Sequence, residues 1–153
     1  MSSMIKNIYL SLILMISTSI CQADVLLKDT QGNDISFASL KGKWVLINYW
    51  AGWCKTCLEE IPEFNRFYRK HENDSVALFA VNYDALPANK QKNLIKKLNI
   101  QYPSLLSDPA FALGIGDITG VPVTFVFNPQ GELSNTLYGG QDVHALEAAI
   151  ATK

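Results

Sequence analysis

Three residues in the chain have the types and spacing for thiol chemistry: Cys54, Cys57 and Glu60, within Trp53-Cys54-Lys55-Thr56-Cys57-Leu58-Glu59-Glu60. An apolar run, Trp44 to Trp50, leads into them, and a stretch of helical period leads out. The two cysteines therefore stand where a buried strand hands over to a helix N-terminus. Such a terminus carries partial positive charge and unpaired N–H groups. Both favour a thiolate, so the Cys54 thiol is expected below the free value of about 8.5. Lys55 adds a nearby cation. Cys57 follows one turn later on the same face, within reach of a disulfide with Cys54. This is the pattern of a redox pair, with an exposed nucleophile at Cys54 and a more shielded resolving thiol at Cys57.

Other chemistries fit less well. A zinc centre needs four protein ligands, or three and a water, and His71, His144 and the carboxylates stand at no ligand spacing from the cysteines. A purely structural bridge across so short a step would restrain little unfolded chain. No metal is expected. Glu60 lies three residues past Cys57, one helical turn along; the alternatives are a partly buried carboxyl with a raised pKa that moves protons and a plain helix-surface glutamate. Trp53 is expected partly exposed, as a flat apolar contact for partners, and Trp50 and Tyr49 in or near the core. His71 and His144, near helix termini on polar stretches, are expected to be solvated and inert.

The Trp53-Cys54-x-x-Cys57 segment with Pro62 beyond it resembles the thioredoxin superfamily. Three further features are similar to its extracytoplasmic TlpA/ResA-type branch: Glu59-Glu60-Ile61-Pro62, the downstream Gly120-Val121-Pro122-Val123-Thr124-Phe125, and an N-terminal export segment. The resemblance spans roughly residues 25 to 150. It implies a thioredoxin-like α/β fold with a mixed central sheet, helices on both faces and an N-terminal β-hairpin. It implies a thiol:disulfide oxidoreductase with no bound cofactor, drawing electrons from another thiol protein and ultimately a membrane donor. It makes Glu60 a proton-moving acid near the active site. It makes Val121-Pro122 a cis bond packed on the cysteines, with the Val121 backbone offered to an extended substrate segment. The chain departs from the family in two places. Val123 stands where an acid often follows the proline, and Asn48 stands where thioredoxin has a buried aspartate; an amide cannot titrate, which shifts proton transfer toward Glu60 or water.

The remaining chain must hold this site in place. Its 153 residues suggest one domain, and 48% hydrophobic with 18% charged residues is ordinary for a globular core. The formal charge of −1 gives no reason to expect nucleic acid or an anionic membrane surface as partner. Residues 1–23 read as a signal peptide, with Lys6 in the n-region, an apolar stretch from Ile8 to Ile20 and a small-x-small end at Cys21-Gln22-Ala23. The stretch is shorter than the ~20 residues of a membrane span; an uncleaved anchor and lipidation at Cys21 are the alternatives, though Ile20 is bulky for the latter. Residues 24–153 would form the thioredoxin-like domain, a periplasmic or extracytoplasmic monomer keeping only Cys54 and Cys57.

Along that domain, strands are expected at Asp24 to Lys28, Ile35 to Phe37, Trp44 to Trp50, Val76 to Tyr83, Pro103 to Ser107, Val123 to Phe127 and Glu132 to Tyr138. Helices are expected from Cys54 to Arg69 with Pro62 inside, from Asn89 to Asn99 with Leu94, Ile95 and Leu98 inward, at Pro109 to Leu113, and from Val143 to Ala151 capped by Asp142. The expected function is an exported protein-disulfide reductase of envelope proteins, similar to those of cytochrome c maturation. A disulfide oxidase or isomerase, or a non-catalytic docking factor on the same fold, are the alternatives.

Overall fold

The computed structural model describes residues 24–71 and 75–151; the leader expected at 1–23, with Cys21, lies outside them. Along the chain come β1 (Leu26–Lys28), β2 (Asp34–Ser36), a 3-10 turn (Phe37–Leu40), β3 (Trp44–Trp50), α1 (Lys55–His71), β4 (Val76–Asn82), α2 (Ala88–Lys97), β5 (Ser104–Leu105), α3 (Ala110–Leu113), β6 (Val123–Phe127), β7 (Leu133–Tyr138) and α4 (Val143–Ala151).

Five strands form one sheet in the order β5-β4-β3-β6-β7, and β1 and β2 make a separate antiparallel hairpin. β3 runs parallel to β4 and antiparallel to β6, so the exits of β3 and β4 and the entrance of β6 meet at one end of the sheet. This sets Cys54, after β3, beside Pro122, before β6.

β3 is central because its sequence can be buried on both sides. Leu46 and Trp50 join Phe64, Phe67, Leu146 and Val126 in one core cluster, which α1, α2 and α4 cover. Val45, Ile47 and Tyr49 join Phe79, Phe125 and Leu27 in the other. Alternation of side chains along a strand gives this division. On the second face the helix is the single-turn α3, and the hairpin and the 3-10 turn complete the cover. The fold is thioredoxin-like, with a mixed central sheet and an N-terminal hairpin.

Most elements lie within two residues of their expected bounds. α1 continues past Arg69 to His71 and contains Pro62, whose ring nitrogen has no hydrogen to donate to the preceding turn. In α2 the buried residue is Gln91, with Leu94, Ile95 and Leu98 only half-buried. Gln91 Nε2 donates to the carbonyls of Leu86 and Leu106, at 2.8 and 3.2 Å, and so ties the helix to the β4–α2 connection and the exit of β5. His144 is exposed, but His71 is not solvated. It packs on the Phe67 ring at 4.7 Å and places Nε2 2.9 Å from Glu147 Oε1, because the end of α1 lies against α4.

Candidate active site

Cys54 is the residue immediately before α1, and its carbonyl accepts the first helical hydrogen bond, from Leu58 N–H at 3.1 Å. Its sulfur accepts a second, from the Cys57 N–H at 3.1 Å. Cys54 thus occupies the position where serine or aspartate usually caps a helix, with sulfur in place of the oxygen. A thiolate formed there on reduction would face the Cys57 N–H and the helix dipole together. In this structure Cys54 and Cys57 are joined by a disulfide with Cα atoms 5.2 Å apart.

The two sulfurs are unequally enclosed. Cys54 keeps 7% of its surface and Cys57 none. Cys54 is therefore the more accessible of the two, although it is more enclosed than the exposed nucleophile expected from sequence. Cys54 Sγ lies 3.7 Å from the Val121 carbonyl, and the Val121–Pro122 peptide bond is cis. Trp53 is 66% exposed. Its Nε1 donates to Asp84 Oδ1 at 3.0 Å and its ring meets the edge of Tyr83, so the indole is held rather than free. Lys55 pairs with Glu59 across 3.6 Å of open surface, an arrangement that contributes little in water.

One turn along α1 from Cys57 lies a buried polar network. Glu60 is 3% exposed. Its Oε1 accepts from Asn48 Nδ2 at 2.9 Å and its Oε2 from the Gln141 backbone N–H at 3.0 Å. Asn48 Nδ2 also donates to Thr124 Oγ1 at 3.1 Å, and Asn48 Oδ1 accepts from the Tyr102 hydroxyl at 3.4 Å. Burial pushes the Glu60 carboxyl up to about 7, against the opposing pull of the bonds from Asn48 and Gln141. Burial, with the nearby Glu60 charge, raises the Tyr102 phenol far above its ordinary range. Glu60 is thus a buried carboxyl, as opposed to a surface glutamate, and it alone in this network titrates near neutrality.

The structure brings together all six residues singled out from sequence: Cys54, Cys57, Glu60, Trp53, Val121 and Pro122. It adds four from distant segments, Asp84, Tyr102, Thr124 and Gln141. Asp84, Tyr102 and Gln141 flank strands and helices, where polar residues are common and nothing in the sequence context distinguishes them; Thr124 carried a signal, as the one polar residue within Val123–Phe127. Asn48 carried a signal, as the one polar residue in an otherwise apolar strand.

Comparison with known proteins agrees with this geometry. The profile of the AhpC/TSA family matches residues 21–136. Sporulation thiol-disulfide oxidoreductase A of Bacillus subtilis is 32% identical over 124 residues, 80% of this chain and 74% of that protein. The thiol-disulfide oxidoreductase ResA of Bacillus cereus is 28% identical over 122 residues, 80% and 70% of the two chains. The crystal structure of StoA from Bacillus subtilis superimposes with a TM-score of 0.69 at 29% identity, covering 83% of this chain and 96% of that one. The chain belongs to the AhpC/TSA family, as a thioredoxin-like thiol-disulfide oxidoreductase of the StoA and ResA type with its CxxC pair at Cys54 and Cys57.

Proposed function

We propose that this oxidoreductase works as a protein-disulfide reductase outside the cytoplasm, in a role like that of the cytochrome c maturation reductases. The observation that carries the residue roles is the unequal enclosure of the two sulfurs, with a buried carboxyl one helical turn from Cys57. In the reduced protein the Cys54 thiolate attacks one sulfur of a client disulfide. That bond breaks, a client thiolate leaves, and a mixed disulfide forms. Cys57 then gives up its proton, attacks Cys54 Sγ, and releases the second client thiolate as the Cys54–Cys57 bond closes. Two electrons pass to the client, and the protein is left oxidised, as seen here.

Glu60 receives the Cys57 proton in this scheme. It lies one turn along the same helix, and a carboxyl titrating near 7 is half available as a base at neutral pH. Asn48 supports this assignment by offering an amide where a second acid would compete. The indole of Trp53 and the backbone of Val121-Pro122 form the client contact, an extended segment pairing with the Val121 peptide group by strand addition. The clients are disulfide proteins of the cell envelope. Recharging needs an external thiol donor tied to the membrane. Residues 1–23 serve as the export signal and residues 24–153 act as a monomeric domain; no described helix is long and apolar enough to cross a membrane.

The test is insulin reduction by the dithiol protein. Cys54→Ser should lose the activity to background, and Cys57→Ser should accumulate mixed disulfides with envelope proteins. Full activity in the Cys54→Ser variant refutes the nucleophile assignment, and an absence of trapped species in Cys57→Ser favours a docking role without turnover. Equilibration with glutathione decides direction, since about 30 mV in this two-electron couple is a tenfold change in the equilibrium. A potential well below that of glutathione supports a reductase, and one well above it an oxidase or isomerase.

A further inference from the structure

Glu60 is buried, yet one wall of its pocket is a single stretch of exposed backbone. The connection from β7 to α4, residues 139–142, passes over it. The Gln141 N–H donates to Glu60 Oε2 at 3.0 Å. The Gln141 side chain folds back, Nε2 donating to the carbonyls of Tyr138 and Gly139 at 3.2 and 2.9 Å. Gly139 N–H donates to the Pro122 carbonyl at 3.0 Å. One turn further along α1, Glu63 Oε2 accepts the Val143 N–H at 3.2 Å, while Asp142 caps α4 through Ala145 N–H. The amide aimed at Glu60 therefore belongs to a loop secured on both sides.

Gly140 stands at the closest approach. Its backbone is not left-handed, so conformational freedom does not account for the glycine. Space does. A Cβ built there would stand 2.9 Å from Thr56 Cγ2 and 4.0 Å from Glu60 Oε2. Real Cβ atoms do not approach so closely, and the atom met is the methyl of a short, β-branched side chain with little freedom to turn away. Thr56 and Gly140 are both exposed, whereas Glu60 beneath them is not.

We propose that Gly140 and Gln141 are positioning residues for Glu60. The Gln141 amide fixes the carboxyl in one orientation, and the bare α-carbon of Gly140 lets the loop close on Thr56 and keeps bulk water off it. The inference rests on the reading of Glu60 as proton carrier for its importance, but its test does not. The groups around Glu60 are few. α1 contributes Cys57 and Glu63, the segment before β5 contributes Tyr102, and the loop contributes Asp142; β3 and β6 present the uncharged Asn48 and Thr124. In the oxidised protein neither cysteine titrates. Tyr102 ionises far above neutrality, and Glu63 is held below its ordinary value by Arg66 and the Val143 N–H.

The experiment is a carboxyl 13C NMR titration of the oxidised protein, with the Glu60 resonance identified by its loss in Glu60→Gln. The wild type should titrate near 7. In Gly140→Ala the displaced loop admits water; relief of burial, the largest cause of the raised value, outweighs the lost Gln141 N–H bond, and the inflection should fall by about one unit. Thr56→Ser combined with Gly140→Ala removes the obstructing methyl and should bring the inflection back to within ~0.3 unit of wild type. An unshifted Gly140→Ala, or a double variant that stays low, overturns the proposal. If Gly140→Ala does not fold, the double variant decides alone: a wild-type inflection supports the close approach and a lowered one refutes it. Insulin reduction by Glu60→Gln at an unchanged rate and pH profile would remove Glu60 from the proton path without touching the titration result.

Discussion

The buried Glu60 carboxyl should make the oxidised protein lose stability as pH rises toward neutrality. Its folded-state value, near 7, lies above the ordinary 4.5, so the native state binds the proton more tightly than the unfolded chain does. The stabilisation from that proton is fully present below about pH 4.5 and is lost as the pH climbs through about 7. A gap of roughly two and a half units, at about 1.4 kcal/mol per unit, amounts to about 3 kcal/mol. That is a sizeable part of the 5–15 kcal/mol, roughly, that holds a typical domain together. Urea denaturation of wild type and Glu60→Gln, disulfide intact, at intervals from pH 4.5 to pH 8 would measure it. Subtracting one curve from the other cancels the titrations that the two proteins share. The difference should move by about 3 kcal/mol against the wild type across that range, whatever constant offset the Gln amide introduces by facing the Gln141 N–H with a second donor. Curves that stay parallel to within ~0.5 kcal/mol would mean that water reaches the carboxyl in solution and that the enclosed-acid argument is wrong.

Two further outcomes test the frame around the site. Asp29 is buried and accepts from the backbone N–H groups of Gln31 and Asn33 and from Asn33 Nδ2; Asp29→Ala should cost about 1–3 kcal/mol in a urea titration and speed amide exchange in the β1–β2 connection. Phe64 has no exposed surface and stacks near Tyr102 with ring centres 5.8 Å apart; Phe64→Ala should cost about 3–5 kcal/mol, and a loss below ~1 kcal/mol would show that α1 packs more loosely than described.

The strands were legible where composition alone determines burial. Trp44–Trp50 and Val123–Phe127 were read with their observed bounds because a run apolar at all but one position, without alternation, suits a strand covered on both faces. The cysteine pair was legible because its chemistry depends on neighbours within one helical turn. Its surroundings were not, for the same physical reason in each case. Asn48 and Gln141 reach Glu60, and Tyr102 and Thr124 reach Asn48, only through the sheet order and the return of α4. Gln91 reads as a polar helix residue until the carbonyls of Leu86 and Leu106 are brought to it. His71 reads as a solvated helix end until α4 supplies Glu147. Periodicity reports which face of an element is apolar; it carries no information about which distant polar group will arrive there.

The hairpin at the start of the described chain also closes one border of the sheet. Thr30 N–H donates to the Ser104 carbonyl at 2.8 Å, Leu106 N–H donates to the Lys28 carbonyl at 2.7 Å, and Asp29 bridges Leu105. An unpaired strand border is a template for adhesion to other chains. Synthesis proceeds from the N-terminus, so the hairpin is made long before residues 104–106 exist to receive it. The growing chain therefore carries the cover in advance of the border it seals, and trimming it away would leave β5 open to neighbouring molecules.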